Sequence, residues 1–443
     1  MEDAYIIHGG KPLIGEVRLS GAKNSALKVI IASLLFDTPV TIQNVPHIGD
    51  INDLLTLINS LGGKARFTAQ NQVMVDGSSI KKDTIAFLYA SKIRVSFMLF
   101  APLLYRLGKG NIPNPGGCRI GSRPIDRHIE CMRALNIHVS YSESDGYYRA
   151  SLEKTRIQGG TLRFKKSSHT GTEFALMLSC CAEGETVIEN ICLEPEIDDL
   201  VLFLTQAGAH IQKKDKTLIV QGVKKLSTDS PYYISPDRNE AVTFALFAVA
   251  TKGSLIVHDI NAINIQTFID VLKKAGGGVE HESSALRFYY NRQLSATDVT
   301  TGVHPRFMTD WQAPWAVLMT QAEGDSTLHE TVFENRFSYV EELRKLGAHI
   351  DYFSPLVHNP NDIYQFNISK NGAQKHQAIR IHGKTLLHNG VLQVSDLRAG
   401  ASMLLAASIA EGESIIRGAS VIDRGYESID KKLQSVGALI KKV

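Results

Sequence analysis

One arrangement of apolar and polar positions recurs along the chain. An apolar helix is followed by a Gly-type turn, a short strand and a second helix, which ends in Gly-Ala or Gly-Gly before another strand. The clearest copies are "SCCAEGETVIENICLEPEIDDLVLFLTQAGAHIQ" (179–212), "TQAEGDSTLHETVFENRFSYVEELRKLGAHID" (320–351) and "SIAEGESIIRGASVIDRGYESIDKKLQSVGALIKK" (408–442). Weaker copies lie at 34–66 and 249–280, and a distorted sixth at 104–140. Within a copy the turns are about 23–27 residues apart, and copies recur roughly every 70–90 residues. Such a unit is too small to bury its own apolar face, so units must pack on one another.

Length then sets the grouping. A chain of 443 residues exceeds one ordinary core, so two domains of about 200 residues each are expected. Six units over two domains give an α/β protein with three units per domain, helices inside and small sheets outside. The boundary falls near "STDSPYYISPD" (227–237), and the polar stretch 353–374, which fits no unit, reads as a loop or edge insertion.

Charge changes the picture little. Lys+Arg 48 against Asp+Glu 45 leaves a net +3, too balanced to attract nucleic acid or a membrane surface, so any anion site must be local. The start "MEDAYIIHGG" lacks the pattern of a signal peptide. Apolar runs such as Ala241–Ala250 are about half a membrane span. The cysteines (118, 131, 180, 181, 192) are odd in number and show no zinc-ligand spacing. A soluble, reduced, cytoplasmic protein is expected.

Six polar phrases open the first helix of each unit: "SGAKNSA", "ASKIRVS", "SHTGTEF", "SPDRNEA", "MTDWQAP" and "VSDLRAG". Their Ser, Thr and Asp suit N-caps. Lys23, Arg94, Arg238 and Arg398 do not, because a cation at a helix N-terminus opposes the macrodipole. Repetition at equivalent positions points to a bound anion. In "NPGGCRIGSRP" (114–124), Gly116 and Gly117 free the backbone to move or to approach a ligand, and Arg119 and Arg123 would lower the Cys118 thiol pKa. Cys131, Cys180 and Cys181 lie in apolar runs and read as core. Asp310 reads either as an N-cap or as a carboxylate that orients or deprotonates a substrate hydroxyl. Trp311 and Trp315, at i and i+4, pack rather than bind.

Taken together, "GEVRLSGAKNSAL", "QNVPHIGD", "PGGCRIGSRPID", "AEGETVIEN", "EPEIDDL", "SPDRNEA", "HPRFMTDWQAP", "TVFENRF", "SDLRAGAS" and "IDRGYE" resemble the UDP-N-acetylglucosamine 1-carboxyvinyltransferase (enolpyruvyl transferase) family. They run in family order from residue 15 to 427. The resemblance implies two inside-out α/β domains of three repeats each, with the chain crossing twice: 21–232, carrying the Cys118 loop, and 1–20 with 233–443, carrying Asp310 and Arg398.

It also implies transfer of enolpyruvate from phosphoenolpyruvate to the 3-hydroxyl of a UDP-sugar, UDP-N-acetylglucosamine, with release of phosphate, at the first committed step of peptidoglycan precursor synthesis. Lys23, Arg123 and Arg398 would hold the phosphate and carboxylate. Cys118, on a closing lid, would be the general acid and the target of the epoxide antibiotic fosfomycin. Asp310 would engage the attacking hydroxyl. Asn24, Arg94, Arg127, His128, Lys166, Ser168, Thr170, Glu194, Asp237, Glu240 and Val332 fall on substrate-binding positions. Positioning and charge stabilisation suffice for addition and elimination, so no metal or organic cofactor is expected, and the chain is expected to act as a monomer.

Two departures touch the nucleotide half. "SHTGT" (168–172) replaces a Ser-Val-Gly-Ala-Thr phrase, with Thr170 in the glycine position, and Arg127 stands where an apolar residue usually faces uracil. A different nucleotide-sugar acceptor and a non-catalytic binding paralogue are the competing readings. The sister 5-enolpyruvylshikimate-3-phosphate synthase is disfavoured, because "GAKNSA" lacks its Lys-Ser phrase and the cysteine lid is present.

Overall fold

A computed structural model describes residues 3–117, 124–366 and 376–443. These residues fall into two compact units, 21–117 with 124–235, and 3–20 with 236–443. Among the described residues each unit carries three small sheets; five of the six have four strands and one has three.

One sheet shows how the repeat folds. Thr161–Arg163 runs parallel to Glu185–Glu189, which pairs antiparallel with Thr217–Gln221, and that strand pairs antiparallel with His210–Lys214. A parallel pair cannot be closed by a tight turn and needs a crossover. Here the crossover is the apolar helix His169–Cys180, the first helix of the repeat. On Thr217–Gln221, Leu218 and Val220 are fully buried while their neighbours are not, so one face of the sheet is covered and the other wet.

Seven helices position the residues of interest: α1 (Lys23–Ser33), α2 (Gly49–Ser60), α3 (Asp126–Ala134), α4 (His169–Cys180), α5 (Arg238–Ala250), α6 (Gln312–Met319) and α7 (Leu397–Ile409). Every residue of α5 and of α6 is buried, and all of α7 but Ile409. A helix apolar on all sides belongs in a core, and these occupy the interior of their unit with the sheets outside. Each fully buried Leu or Phe on them contributes about 1.5–3 kcal/mol relative to exposure.

The distorted second copy is the three-stranded sheet, Lys109–Pro113, Tyr147–Leu152 and Ile137–Ser142. In place of a parallel edge strand it has the single parallel bridge between Thr84 and Asn111. The two glycines that follow are required by contact and conformation. A Cβ on Gly116 would lie 1.8 Å from Ser91 O, and Gly117 has φ +107°. Gly116 N donates to Ala90 O at 3.0 Å. At Gly116, then, the close approach expected toward a ligand is made to the chain's own backbone. Cys118, Arg119 and Arg123 lie outside the described residues.

One boundary differs from expectation. Residues 233–235, expected in the second domain, run with the first unit, because Tyr233 pairs with Gln43 and Ser235 O accepts from Ala22 N at 2.7 Å. The described part of the 353–374 stretch is a mostly exposed connection, as the loop reading has it, with one packed point. It enters a short helix, Pro360–Ile363, after which Tyr364 is buried with its hydroxyl 3.0 Å from His329 Nε2, and Gln365 N donates to Thr331 O. Residues 367–374 lie outside the described residues.

Cys131, Cys180 and Cys181 are core, as read, and burial pushes the Cys181 thiol up to about 12. Trp311 and Trp315 are fully buried against Phe268 and Phe307. No described helix is long and apolar enough to cross a membrane.

Candidate active site

Each unit assembles its own group of charged residues. In the unit of residues 3–20 and 236–443, three carboxylates and two guanidiniums converge. Asp310 lies in a single 3-10 turn, Thr309–Trp311, just ahead of α6, so it is not the N-cap that the sequence left open. Its Oδ1 accepts from Arg336 Nη2 at 2.6 Å, and its Oδ2 is 3.5 Å from Arg398 Nε. Arg336 Nη1 is also 4.0 Å from Asp396 Oδ1. Asp396 caps α7, accepting from Arg398 N and Ala399 N at 3.0 and 3.1 Å.

Buried Glu330 holds the backbone around this group. Its Oε2 accepts from Thr309 Oγ1 (2.9 Å) and Gln312 Nε2 (2.8 Å), and its Oε1 accepts from Val332 N (2.7 Å) and Phe333 N (2.9 Å). Burial raises its carboxyl pKa, partly offset by these donors and by Arg336. Clamping both flanks of Asp310 fixes where that carboxylate can point.

Arg398 is 6% exposed and stacks its guanidinium 5.1 Å from the Tyr426 ring centroid. Burial alone would lower its pKa, but Tyr426, Asp310 and Asp237 more than offset this and hold it charged. Its Nη1 is buried and has no hydrogen-bond partner among the described residues. A charged donor left in that state suits an incoming anionic oxygen.

Asp237 and Glu240 are engaged within the same unit. Asp237 caps α5 through Asn239 N (2.7 Å) and Glu240 N (3.2 Å). Glu240 accepts from Lys432 Nζ (2.6 Å) and Ser20 N (2.7 Å). Arg238 Nη1 lies 3.0 Å from His304 Nδ1. At α5 and α7 the capping aspartates place a carboxylate beside each helix start, so an anion at Arg238 or Arg398 would join negative charge that is already there.

In the unit of residues 21–117 and 124–235, Lys23 opens α1 and pairs with Asp50 of α2, Nζ to Oδ2 2.7 Å, both side chains nearly buried. Any anion at Lys23 must therefore compete with Asp50. Asn24 is half-buried beside it. Arg94 starts a 3-10 turn and donates to Pro115 O at 3.3 Å, just upstream of Cys118. Arg127 and Lys166 are half-buried, and Thr170 sits in the first turn of α4 behind its Ser168 cap, whose Oγ accepts from Gly171 N at 3.1 Å. Glu194 is 3% exposed, and its Oε2 has no hydrogen-bond partner among the described residues.

His128 on α3 is buried between the rings of Phe97 and Phe174, with centroids at 5.7 and 5.3 Å. Burial, with repulsion from Arg94 and Arg127, lowers its pKa from 6.5 to about 3. The unfolded chain therefore binds the extra proton between those values. The stability from burying this neutral ring is full above about 6.5 and lost as pH falls toward 3. Between pH 7 and pH 5, the native chain should lose about 2 kcal/mol more unfolding free energy than His128→Gln. Urea melts at the two pH values measure this, and equal losses would mean that the folded ring already takes up its proton.

The structure also shows charged partners that the sequence patterns did not single out: Asp50, Glu330, Arg336, Asp396, and a buried set in the same unit as Lys23. There, Glu173 on α4 is fully buried, with Oε2 3.2 Å from Lys28 Nζ of α1 and Oε1 3.1 Å from His169 Nε2. Burial lowers the His169 pKa, but Glu173 more than compensates and raises it. Asp50, Arg336 and Asp396 lie in "QNVPHIGD", "TVFENRF" and "SDLRAGAS", phrases that carry the family resemblance, which was the available signal.

A family model described as EPSP synthase (3-phosphoshikimate 1-carboxyvinyltransferase) matches residues 7–433. A UDP-N-acetylglucosamine 1-carboxyvinyltransferase of Idiomarina loihiensis is 36% identical over 442 residues, covering 100% of this chain and 99% of the relative. That of Acidobacterium capsulatum is 38% identical over 446 residues, covering 100% and 96%. Among solved structures, the enolpyruvyl transferase NikO from Streptomyces tendae superposes with TM-score 0.84 at 23% identity, covering 99% of this chain and 98% of that one. An EPSP synthase from Acinetobacter baumannii gives TM-score 0.72 at 15% identity, covering 99% of both chains.

Proposed function

The chain belongs to the 1-carboxyvinyltransferase (enolpyruvyl transferase) family, and from that premise we propose that it transfers the enolpyruvyl group of phosphoenolpyruvate to the 3-hydroxyl of UDP-N-acetylglucosamine, releasing phosphate. In a cell this is the first committed step of peptidoglycan precursor synthesis, carried out in the cytoplasm. The observation that carries the reading is Asp310, held between Arg336 and Arg398 beside a buried guanidinium nitrogen that has no hydrogen-bond partner among the described residues.

The chemistry needs a carboxylate near a hydroxyl and cations near a phosphate and a carboxylate. Asp310 orients the sugar 3-hydroxyl and accepts its proton as the oxygen attacks C2 of phosphoenolpyruvate and C3 gains a proton from the acid. C3 then loses a proton, the bond from C2 to the phosphate oxygen breaks, and phosphate leaves. Arg398, Lys23 and Arg123 are the cations assigned to the donor's phosphate and carboxylate, and Cys118 the acid at C3 and the target of fosfomycin. Arg336 touches no reacting atom in this scheme; it positions Asp310.

A second reading, a different nucleotide-sugar acceptor, is favoured by one observation. His169, in the altered 168–172 phrase, is held by buried Glu173 and carries a raised pKa. Purified protein with phosphoenolpyruvate and a panel of nucleotide sugars should release phosphate with UDP-N-acetylglucosamine. Silence there with turnover on another sugar nucleotide would establish the second reading instead, and no turnover on any would leave a binding protein. In the same preparation Cys118→Ser should lose covalent labelling by an epoxide, and undiminished labelling would place the reactive thiol elsewhere.

A further inference from the structure

Three neighbouring strands of one sheet present an unusual set of side chains on their outer face. The strands are β1 (Gly324–His329), β2 (His349–Phe353) and β3 (Ala378–Gly383), with β3 antiparallel to both others. Register places Asp325 of β1, His382 of β3 and His349 of β2 in one row across the sheet. Asp351 lies two residues beyond His349, so it points to the same side. Between them, Ile350 and Ile381 are buried on the opposite face, which fixes the row outward.

The distances are those of a loosely assembled ligand set. One ligand atom from each of His349, Asp351 and His382 falls within 4.8 Å of the other two. His382 Nε2 lies 2.9 Å from Asp351 Oδ2, its Nδ1 lies 2.9 Å from Asp325 Oδ1, and the two imidazoles are 4.3 Å apart between centroids. The nearby cations have other partners: Arg380 turns over the Phe353 ring, and Arg344 donates to Glu341 and to Ile350 O.

We propose that His349, Asp351 and His382 bind a divalent transition-metal ion of the zinc class, with Asp325 orienting His382 from behind. Two imidazoles and one carboxylate are a donor set that such ions accept, with water completing the coordination. Metal-bound histidines commonly donate their second ring N–H to a carboxylate, which fixes the tautomer. Asp325 stands at Nδ1 in that relation, and Nε2, 2.9 Å from Asp351 Oδ2, would exchange that hydrogen bond for the ion as the two ligands part to admit it. The ligand atoms must draw in to about 2.0–2.2 Å from the ion, and exposed side chains on adjacent strands can do so by rotation. An ion there would tie β1, β2 and β3 together at the strand ends away from the connection between β2 and β3, which joins Phe353 to Ala378. It lies outside the proposed enolpyruvyl chemistry.

The test uses the full-length chain without a histidine tag, titrated with Zn²⁺ by calorimetry at neutral pH. One ion should bind per chain, removable by EDTA. His349→Ala and His382→Ala should each abolish that binding, and Asp325→Asn should weaken it by about 10–100-fold. X-ray absorption at the zinc edge should show nitrogen and oxygen ligands only. Absence of stoichiometric binding to the native chain, binding unchanged in either histidine variant, or a sulfur ligand would overturn the proposal.

Discussion

Asp310→Asn should lower kcat for phosphate release by about 10²–10⁴-fold, with a much smaller change in thermal stability. The amide keeps the size and one acceptor oxygen toward Arg336, 2.6 Å away in the native chain. It loses the negative charge that lets Asp310 orient or deprotonate a hydroxyl. Arg336→Met provides the contrast. It leaves Asp310 and Asp396 charged but without their shared guanidinium, so it should cost about 3–5 kcal/mol of folding stability as well as activity. Steady-state assays with UDP-N-acetylglucosamine, alongside urea melts, separate the two. A kcat for Asp310→Asn within threefold of the native value would remove Asp310 from the chemistry.

Lys28→Met should destabilise the protein by about 3–5 kcal/mol, because it strands the carboxylate of Glu173, which is fully buried. Glu173→Leu should do the same by stranding Lys28, 3% exposed. The double variant should recover most of the loss, since an apolar pair of similar volume removes both desolvation costs. The cycle is read from urea unfolding at pH 7. Single variants that each cost under about 1 kcal/mol would mean that water reaches the pair and that it behaves as an exposed one. His169 extends the measurement to the candidate site, because Glu173 is also its partner. Glu173→Leu should therefore alter the KM for the nucleotide sugar more than kcat.

Much of the fold was legible because the repeat is a burial pattern. The first helices are largely apolar, and a helix like α5, buried at every residue, has one sensible place, the interior. The short strands alternate, so each must lay one face on a helix. The irregular second copy was visible too, as a unit broken by "NPGGCRIGSRP". The glycines of that phrase were read as letting the backbone move or approach a ligand, and Gly116 makes its close approach to Ser91 O, where only a residue without Cβ fits.

The candidate site was only half legible. Lys23, Asp310 and Arg398 stood out by type and by repeated position. Their partners did not. Asp396 read as an ordinary N-cap, Asp50 was not singled out, and Arg336 sits outside any helix, strand or turn with no periodicity to mark it. Nothing local in "GAKNSALK" or "SHTGTEF" announces that Lys28 and Glu173 meet.

By itself, then, the sequence determined what is buried and how often the unit repeats, since both follow from the spacing of apolar residues within a few turns of chain. Which charges neutralise one another was decided only by the tertiary structure. An ion pair depends on the register of elements distant in sequence, and on packing that excludes water from some of them and leaves Arg398 Nη1 buried with no hydrogen-bond partner among the described residues.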